Sequence, residues 1–438
     1  MFIKTQWFED LKGANILAVN PPVYDFAWFD LWAKPAGLLR FLGYLKNKGN
    51  NITLIDCLHE GREKPLSYGR WKVRREERDK PRPLKHIPRR YCRFGLSEAD
   101  FKSRLQEAPS PEVILVTSIM TYWYPGVAES IRILKETFPT KPVILGGVYA
   151  TLCPEHAASL GADQIMPTSA SPQGRHIPLD LYSEPGYALL STTFGCPRRC
   201  HYCASSVLNP RFQPRALAEI IKDLEGQTAI GSVRDLAFYD DALLWNREEL
   251  FYPLCQYISE KFPDLGLHSP NGLSVDGLDQ NCCRALKKAG FKTLRLSFEG
   301  LDSRTREASD NKVNAAAYLK AVENLLAAGY ESQDIETYLL LGLPGQKTED
   351  IEASIEYVQR AGAQPKLCEY SPIPGTRLFQ AEAEANPQIA GEPLWHNNSV
   401  YTTYLSGRLE ADELQRLKKL SLNGPLKPKV LALPVPAV

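Results

Sequence analysis

The chain has 438 residues, 44% of them hydrophobic and 24% charged, which is ordinary for a globular protein of two or three domains that buries real cores. A formal net charge of +1 excludes a global field that would draw nucleic acid or membrane, and no run of about 18 apolar residues offers a helix to a bilayer. The opening MFIKTQWFEDLKG has no apolar stretch of the signal-peptide kind, so ten cysteines read as reduced thiols plus a metal site in a cytoplasmic enzyme.

In chain order, NILAV (15–19), ITLI (52–55), VILVT (113–117) and VILGG (143–147) are apolar nearly throughout, as buried parallel strands are. Between them GLLRFLGYLKNKG and PGVAESIRILKETFP carry apolar residues at helical spacing and end at Gly or Pro. This alternation predicts an α/β, doubly wound, Rossmann-like domain over residues 12–170. A basic insertion at about 61–111 interrupts it. Residues 61–90 hold twelve Lys or Arg against four Asp or Glu. A solvated insertion or lid is one reading, and an anion- or RNA-binding surface is the sharper one. From residue 187 the rhythm restarts, with strands expected near 187–193, 234–239, 265–269, 293–297, 335–341 and 365–369. Six βα units over 185–375 predict a partial (β/α)6 barrel. Residues 376–438 form a C-terminal extension whose end, LKPKVLALPVPAV, is too rich in Pro for regular structure and reads as an extended tail.

The first barrel strand runs into TTFGCPRRCHYCASS, which places Cys196, Cys200 and Cys203 within eight positions. Structural zinc and ordinary iron–sulfur sites usually take four ligands. Either a fourth ligand lies elsewhere, His201 within the motif included, or the open position is the point. The other strand ends are polar or Gly-rich as well, and parallel βα barrels carry their chemistry there. The second ends at Tyr239, Asp240 and Asp241, and the third at Asn271. The fourth sets Arg295, Ser297 and Glu299 on alternate positions, hence one face, and the fifth closes with GLPG from Gly342 to Gly345. The remaining cysteines, at 57, 92, 153, 255, 282, 283 and 368, show no C-x2-C pair and read as small buried hydrophobes.

The spacing C-x3-C-x2-C, with Tyr202 just before the last cysteine, resembles the signature of the radical S-adenosylmethionine (SAM) superfamily. The resemblance implies a [4Fe–4S] cluster on the three thiolates. Its fourth iron is chelated by the methionine part of SAM, whose cleavage yields a 5′-deoxyadenosyl radical. It also implies SAM contacts from Tyr239, Asp240 and Asp241, where the family more often has Gly-Gly-Glu, and from Asn271, Arg295, Ser297 and Glu299. GLPG resembles the fifth-strand motif beside the adenine, where glycine lets backbone approach a flat ring. NPP (20–22), TSIMTYWYPG (117–126) and GGVYATLCPE (146–155) make the first domain resemble the cobalamin-binding module of one radical SAM class. That resemblance implies cobalamin near Ser118, Thr121, Gly146 and Gly147. The D-x-H-x-x-G sequence that supplies an axial His in some cobalamin proteins is absent.

The implied function is SAM cleavage followed by cobalamin-dependent methyl transfer, or a rearrangement, on a small-molecule or peptide substrate. A reductant such as flavodoxin or ferredoxin would supply the electron, and neither nucleic acid nor membrane is expected as a partner. No catalytic residue is assigned beyond the cluster ligands. Two alternatives stay open: an RNA-modifying, methylthiotransferase-like enzyme, suggested by the basic stretch and SPIPGT (371–376), and a non-catalytic iron–sulfur redox sensor.

Overall fold

Residues 15–20 carry four consecutive apolar side chains, Ile16 to Val19, so both faces of this segment need cover. In the computed structural model, which describes residue 8 and residues 10–170 and 176–423, they form the inner strand Asn15–Asn20 of a five-stranded sheet. Its neighbours are Asn51–Asp56 on one side and Val113–Val116 on the other, followed by Val143–Gly146 and Gln164–Met166. Every pairing is parallel. Leu17 and Val19 enter one core with Ile114, Ile131 and Leu134, whereas Ile16 and Ala18 enter a second with Leu38, Leu42 and Leu45. Alternate side chains thus feed helices on opposite faces, which is the doubly wound arrangement expected. The fifth strand escapes the sequence reading because three residues are too few for a periodicity.

The basic insertion is built of short antiparallel strands. Arg62–Pro65 pairs with Trp71–Val73, and Tyr91–Phe94 lies between Val23–Asp25 and Arg75–Arg78. Lys64, Lys72, Arg75, Arg82, Lys85 and Arg90 are exposed, as a solvated face requires, but on ordered strands and turns. One cation of the insertion goes the other way. Arg93 is fully buried, and its Nε and Nη2 donate to Glu129 Oε1 at 2.9 and 2.7 Å. Glu129 also accepts from the Tyr24 hydroxyl.

The chain divides into two compact units. The first ends at Leu189 and includes Lys222–Val233 and Glu382–Asn397. The second comprises Leu190–Ile221, Arg234–Ala381 and the chain from Asn398 on. The stretch 382–397, part of the expected extension, therefore groups with the first unit. His396 is buried there, with its Nδ1 2.8 Å from Thr121 Oγ1 and its Nε2 2.7 Å from Ile389 O.

The second sheet lists its strands in chain order: Ala188–Leu190, Asp235–Phe238, Gly266–His268, Phe291–Glu299, Ile335–Leu341 and Gln364–Glu369. The pairings from Asp235–Phe238 onward are parallel, and Tyr239 N donates to Leu190 O at 2.7 Å. Such an order is that of the partial barrel predicted. Helices between strands start at side-chain caps, Asp279 on Cys282 N and Asn314 on Ala317 N, both at 2.8 Å. The helix Ala411–Leu422 closes the described chain, and Gln359 Nε2 donates to Leu420 O at 2.9 Å. The expected extended tail at 426–438 lies outside the described residues. No described helix is long and apolar enough to cross a membrane.

Removing one member of a buried pair leaves the other charge stranded, whereas an exposed pair contributes little. Glu129→Ala is expected to lower the unfolding free energy by about 3 kcal/mol or more. Lys46→Ala, which breaks the exposed pair with Asp180, is expected to change it by less than about 1 kcal/mol. Urea unfolding followed by circular dichroism checks both.

Candidate active site at the barrel strand ends

The three-cysteine loop begins where Thr193–Phe194 pairs antiparallel with Gln213–Pro214. Gly195 follows at φ +74°, and a Cβ there would stand 2.8 Å from Arg211 O and 2.9 Å from Asn209 O, so the turn admits glycine alone. Cys196 and Cys200 are half-buried and Cys203 is exposed. Burial raises the thiols of Cys196 and Cys200 above the usual range. Cys200 Sγ lies 3.4 Å from Ser309 O, and Ser205 N donates to Cys203 Sγ at 3.4 Å. His201 is anchored by its backbone, N to Ala308 O at 2.7 Å and O from Leu378 N at 2.9 Å, while Arg377 Nη1 sits 3.0 Å from its Nε2.

Asp240 is 3% exposed, and its carboxylate collects four donors from the strand end that launches this loop. The N–H and hydroxyl of Thr192 lie 2.9 and 2.6 Å away, and those of Thr193 2.7 and 2.9 Å away. Asp240, a side chain expected to meet SAM, thus clamps the first and second strand ends together. Asp241 instead accepts from the Ser205 hydroxyl, just past Cys203. Asn271 is exposed and joins the third strand end to the second, donating to Tyr239 O at 3.2 Å and Asp240 O at 3.4 Å.

On the fourth strand Arg295 is buried, with Nε 2.8 Å from Glu336 and Nη1 3.0 Å from the Tyr338 hydroxyl, which itself donates to Pro270 O at 2.7 Å. Ser297 faces Tyr338 in register and is half-buried. The strict alternation expected through Glu299 breaks there. The register shifts between Ser297 and Glu299, and Glu299 adopts φ +71°. That conformation is costly for a residue with a Cβ, and such positions gather at functional sites. Glu299 is fixed by Lys312, whose Nζ lies 2.6 Å from its Oε1 and 3.4 Å from the Tyr202 hydroxyl. Burial alone would depress the Lys312 ammonium, but the Glu299 carboxylate beside it holds it above its usual range. Gly342 turns beside Thr402, and its N–H donates to Gln346 Oε1 at 2.9 Å. Gly345 packs on the Arg304 guanidinium.

Lys312 and the Thr192–Thr193 pair escape the sequence reading. The threonines stand in the quoted motif, but nothing local marks them as partners of a residue nearly fifty positions on. Lys312 belongs to no motif. In the first unit, Ser118 Oγ donates to Gly146 O at 3.1 Å and Val148 N to Ser118 O at 2.8 Å. Gly147, at φ +93°, lies against Ser118. Thr121 is bonded to His396. These groups shape the loops after Val113–Val116 and Val143–Gly146.

Among the described residues, no three His, Cys, Asp or Glu side chains converge as ligands of one metal ion. The thiols of a cubane ligand set each take a different iron and have no need to converge in that way.

Residues 190–358 match the family model of the Radical SAM superfamily. Curated relatives include the uncharacterized protein MJ0966 of Methanocaldococcus jannaschii, 27% identical over 189 residues, 42% of this chain and 40% of that protein. Another is the uncharacterized methyltransferase PH0819 of Pyrococcus horikoshii, 20% identical over 261 residues, 58% of this chain and 55% of the other. The alignments thus span about half the length of these relatives or less. Among solved structures, the radical SAM methyltransferase TsrM of Kitasatospora setae, with tryptophan substrate and a SAM analogue bound, matches with a TM-score of 0.60 at 15% identity, covering 86% of this chain and 77% of its own. The cobalamin-dependent SAM radical enzyme OxsB matches with a TM-score of 0.54 at 9% identity, covering 88% and 57%. Residues 190–358 are therefore a radical SAM domain, and most of the chain has the fold of solved cobalamin-dependent radical SAM enzymes.

Proposed function

We propose that the chain is a cobalamin-dependent radical SAM methyltransferase in which Cys196, Cys200 and Cys203 hold a [4Fe–4S] cluster. The carrying observation is the three-thiol loop that leaves the first strand of the barrel within the residues matched by the family model. Three thiolates suit three irons and leave one for the amine and carboxylate of SAM. When bound, these groups supply reductive cleavage of SAM to a 5′-deoxyadenosyl radical and a methyl carrier in cobalamin. The protein's share is placement and exclusion of water. Asp240 fixes where the loop starts, and Lys312 holds Glu299 beside Tyr202. Glu336 and Tyr338 hold Arg295 rigid as a candidate contact for the SAM carboxylate or ribose, with Tyr239, Asn271 and Ser297 at the neighbouring strand ends. Gly342 and Gly345, set against Thr402 and the Arg304 guanidinium, shape the fifth-strand loop that would lie beside the adenine. Cobalamin in the first unit is supported by the fold likeness to TsrM, solved with cobalamin and a [4Fe–4S] cluster bound. Ser118, Thr121, Gly146 and Gly147 would frame it as loop-shaping residues. The methyl acceptor is a small molecule or peptide.

Alanine at any of the three cysteines is expected to abolish the broad iron–sulfur absorbance and the formation of 5′-deoxyadenosine after anaerobic reconstitution. Continued cleavage in such a variant would overturn the assignment. Protein purified anaerobically from cells supplied with cobalamin is expected to carry near-stoichiometric corrinoid in its optical spectrum, and a cluster without corrinoid would remove cobalamin from the reading. Asp240→Ala leaves four donors at a buried strand end without their acceptor, so a loss of about 3 kcal/mol or more in stability is expected, with weaker cluster retention. Urea unfolding and iron analysis after gel filtration check this.

A further inference from the structure

We infer that Gln346 and the helix that starts at Ser303 brace the glycine loop of the fifth strand against the cysteine loop, which makes Gln346 and Thr305 positioning residues for SAM. This rests on the function proposed above, in which the first loop lies beside the adenine and the second holds the cluster. Both loops and the helix belong to the second unit. A ligand that spans two loops binds well only where both are in place at once, and a misplacement of about 1 Å in either costs a large factor.

A primary amide has two N–H donors and an oxygen that accepts twice, and Gln346 uses them all. Its Oε1 accepts from Gly342 N at 2.9 Å and Leu343 N at 3.4 Å, and its Nε2 donates to Leu340 O and Thr305 Oγ1, both at 3.0 Å. The bonds to Leu340, Gly342 and Leu343 close the glycine loop on itself. The bond to Thr305 leaves the loop for the helix Ser303–Ala308. Thr305 is fully buried, and its N–H donates to Asp302 Oδ1 at 2.9 Å, the cap from which that helix starts. Gly345 meets the same helix one residue earlier, packed on the Arg304 guanidinium.

The far end of the helix holds the cysteine loop. Each residue from Arg199 to Tyr202 touches the stretch Ala308–Lys312. Arg199 N donates to Asp310 Oδ2 at 3.2 Å, and Cys200 Sγ lies 3.4 Å from Ser309 O. His201 N donates to Ala308 O at 2.7 Å, and the Tyr202 hydroxyl lies 3.4 Å from Lys312 Nζ. The backbone is strained where it makes these contacts, with Asp310 at φ +59° and Asn311 at φ +47°. Asp and Asn enter this region at the least cost, but as single residues, and two in succession persist where neighbouring contacts hold them. One short element thus touches the glycine loop at Arg304 and Thr305 and the cysteine loop from Ala308 on.

The test uses the full chain with its cluster reconstituted anaerobically. SAM affinity is measured by equilibrium dialysis with labelled SAM, and 5′-deoxyadenosine formation is followed against SAM concentration. Gln346→Leu, which keeps a side chain of similar size and loses its four bonds, is expected to weaken SAM binding about tenfold or more. Thr305→Val, which removes only the acceptor on the helix, is expected to weaken it several-fold, with KM rising in step and iron content at the wild-type level. Asn324→Ala is the control. It removes a buried bond to Leu278 O, 2.9 Å long and part of neither loop, and is expected to lower stability while SAM affinity stays within about twofold of the wild type. Wild-type affinity in Thr305→Val, or an equal loss in Asn324→Ala, overturns the brace. Wild-type protein that carries the cluster and binds no SAM overturns the function beneath it, which is a separate result. Thermal melts accompany each measurement, and if Gln346→Leu does not fold, Thr305→Val decides alone.

Discussion

The barrel half depends on one carboxylate. Asp240 ends the second strand and gathers the backbone and hydroxyl donors of two consecutive threonines at the end of the first. A strand end has orphan backbone groups that need partners, and here one side chain supplies them from a neighbouring strand. The consequence passes along the chain. With Thr192 and Thr193 fixed, Gly195 turns against Asn209 and Arg211, and the cysteine loop leaves the sheet in one direction. Asn271 extends the same arrangement to the third strand end.

A second set of fixed charges contacts that loop. Glu299, Lys312 and Tyr202 form a chain of polar contacts that begins at a strained residue of the fourth strand and ends inside the cysteine motif. Arg295, Glu336 and Tyr338 form another between the fourth and fifth strands. Buried polar networks of this kind hold a geometry well when every member is satisfied. The second network joins the adjacent fourth and fifth strands, while the first ties the end of the fourth strand to the cysteine loop.

What was legible in the sequence was what is local. Three cysteines within eight positions, GLPG, and apolar runs of four to six residues carry their meaning within one window, so the two sheets and the cysteine loop were readable. Gln164–Met166 was not, because three residues give no period. Lys312 was not, because its role comes from a bulge that turns Glu299 and from a loop that brings Tyr202 near, neither of them a neighbour in sequence. The place of Asp240 was legible but its hold on Thr192 and Thr193 was not, since spacing identifies a strand end and not which donors will fill its oxygens. The basic stretch shows the same limit. Its composition pointed to solvent, which Lys64 and Lys72 meet, while Arg93, at the edge of the same insertion, is fully buried on Glu129.

Gly69, between the paired strands Arg62–Pro65 and Trp71–Val73, meets Gly186 so closely that a Cβ on either would collide with the other's carbonyl oxygen, which limits how this part of the molecule can vary. Two backbones pressed together leave no side chain through which a change in length could be absorbed, so the hairpin arms are fixed in length where they meet the 185–187 segment. The tip, Leu66 to Tyr68, lies beyond that contact and is exposed. Added residues can be accommodated at the tip, whereas even one extra residue at Gly69 would carry Trp71, whose N–H donates to Asp30 Oδ2 at 3.0 Å, out of register. The paired strands Arg62–Pro65 and Trp71–Val73 are thus held at Gly69, and variation in length is left to the tip.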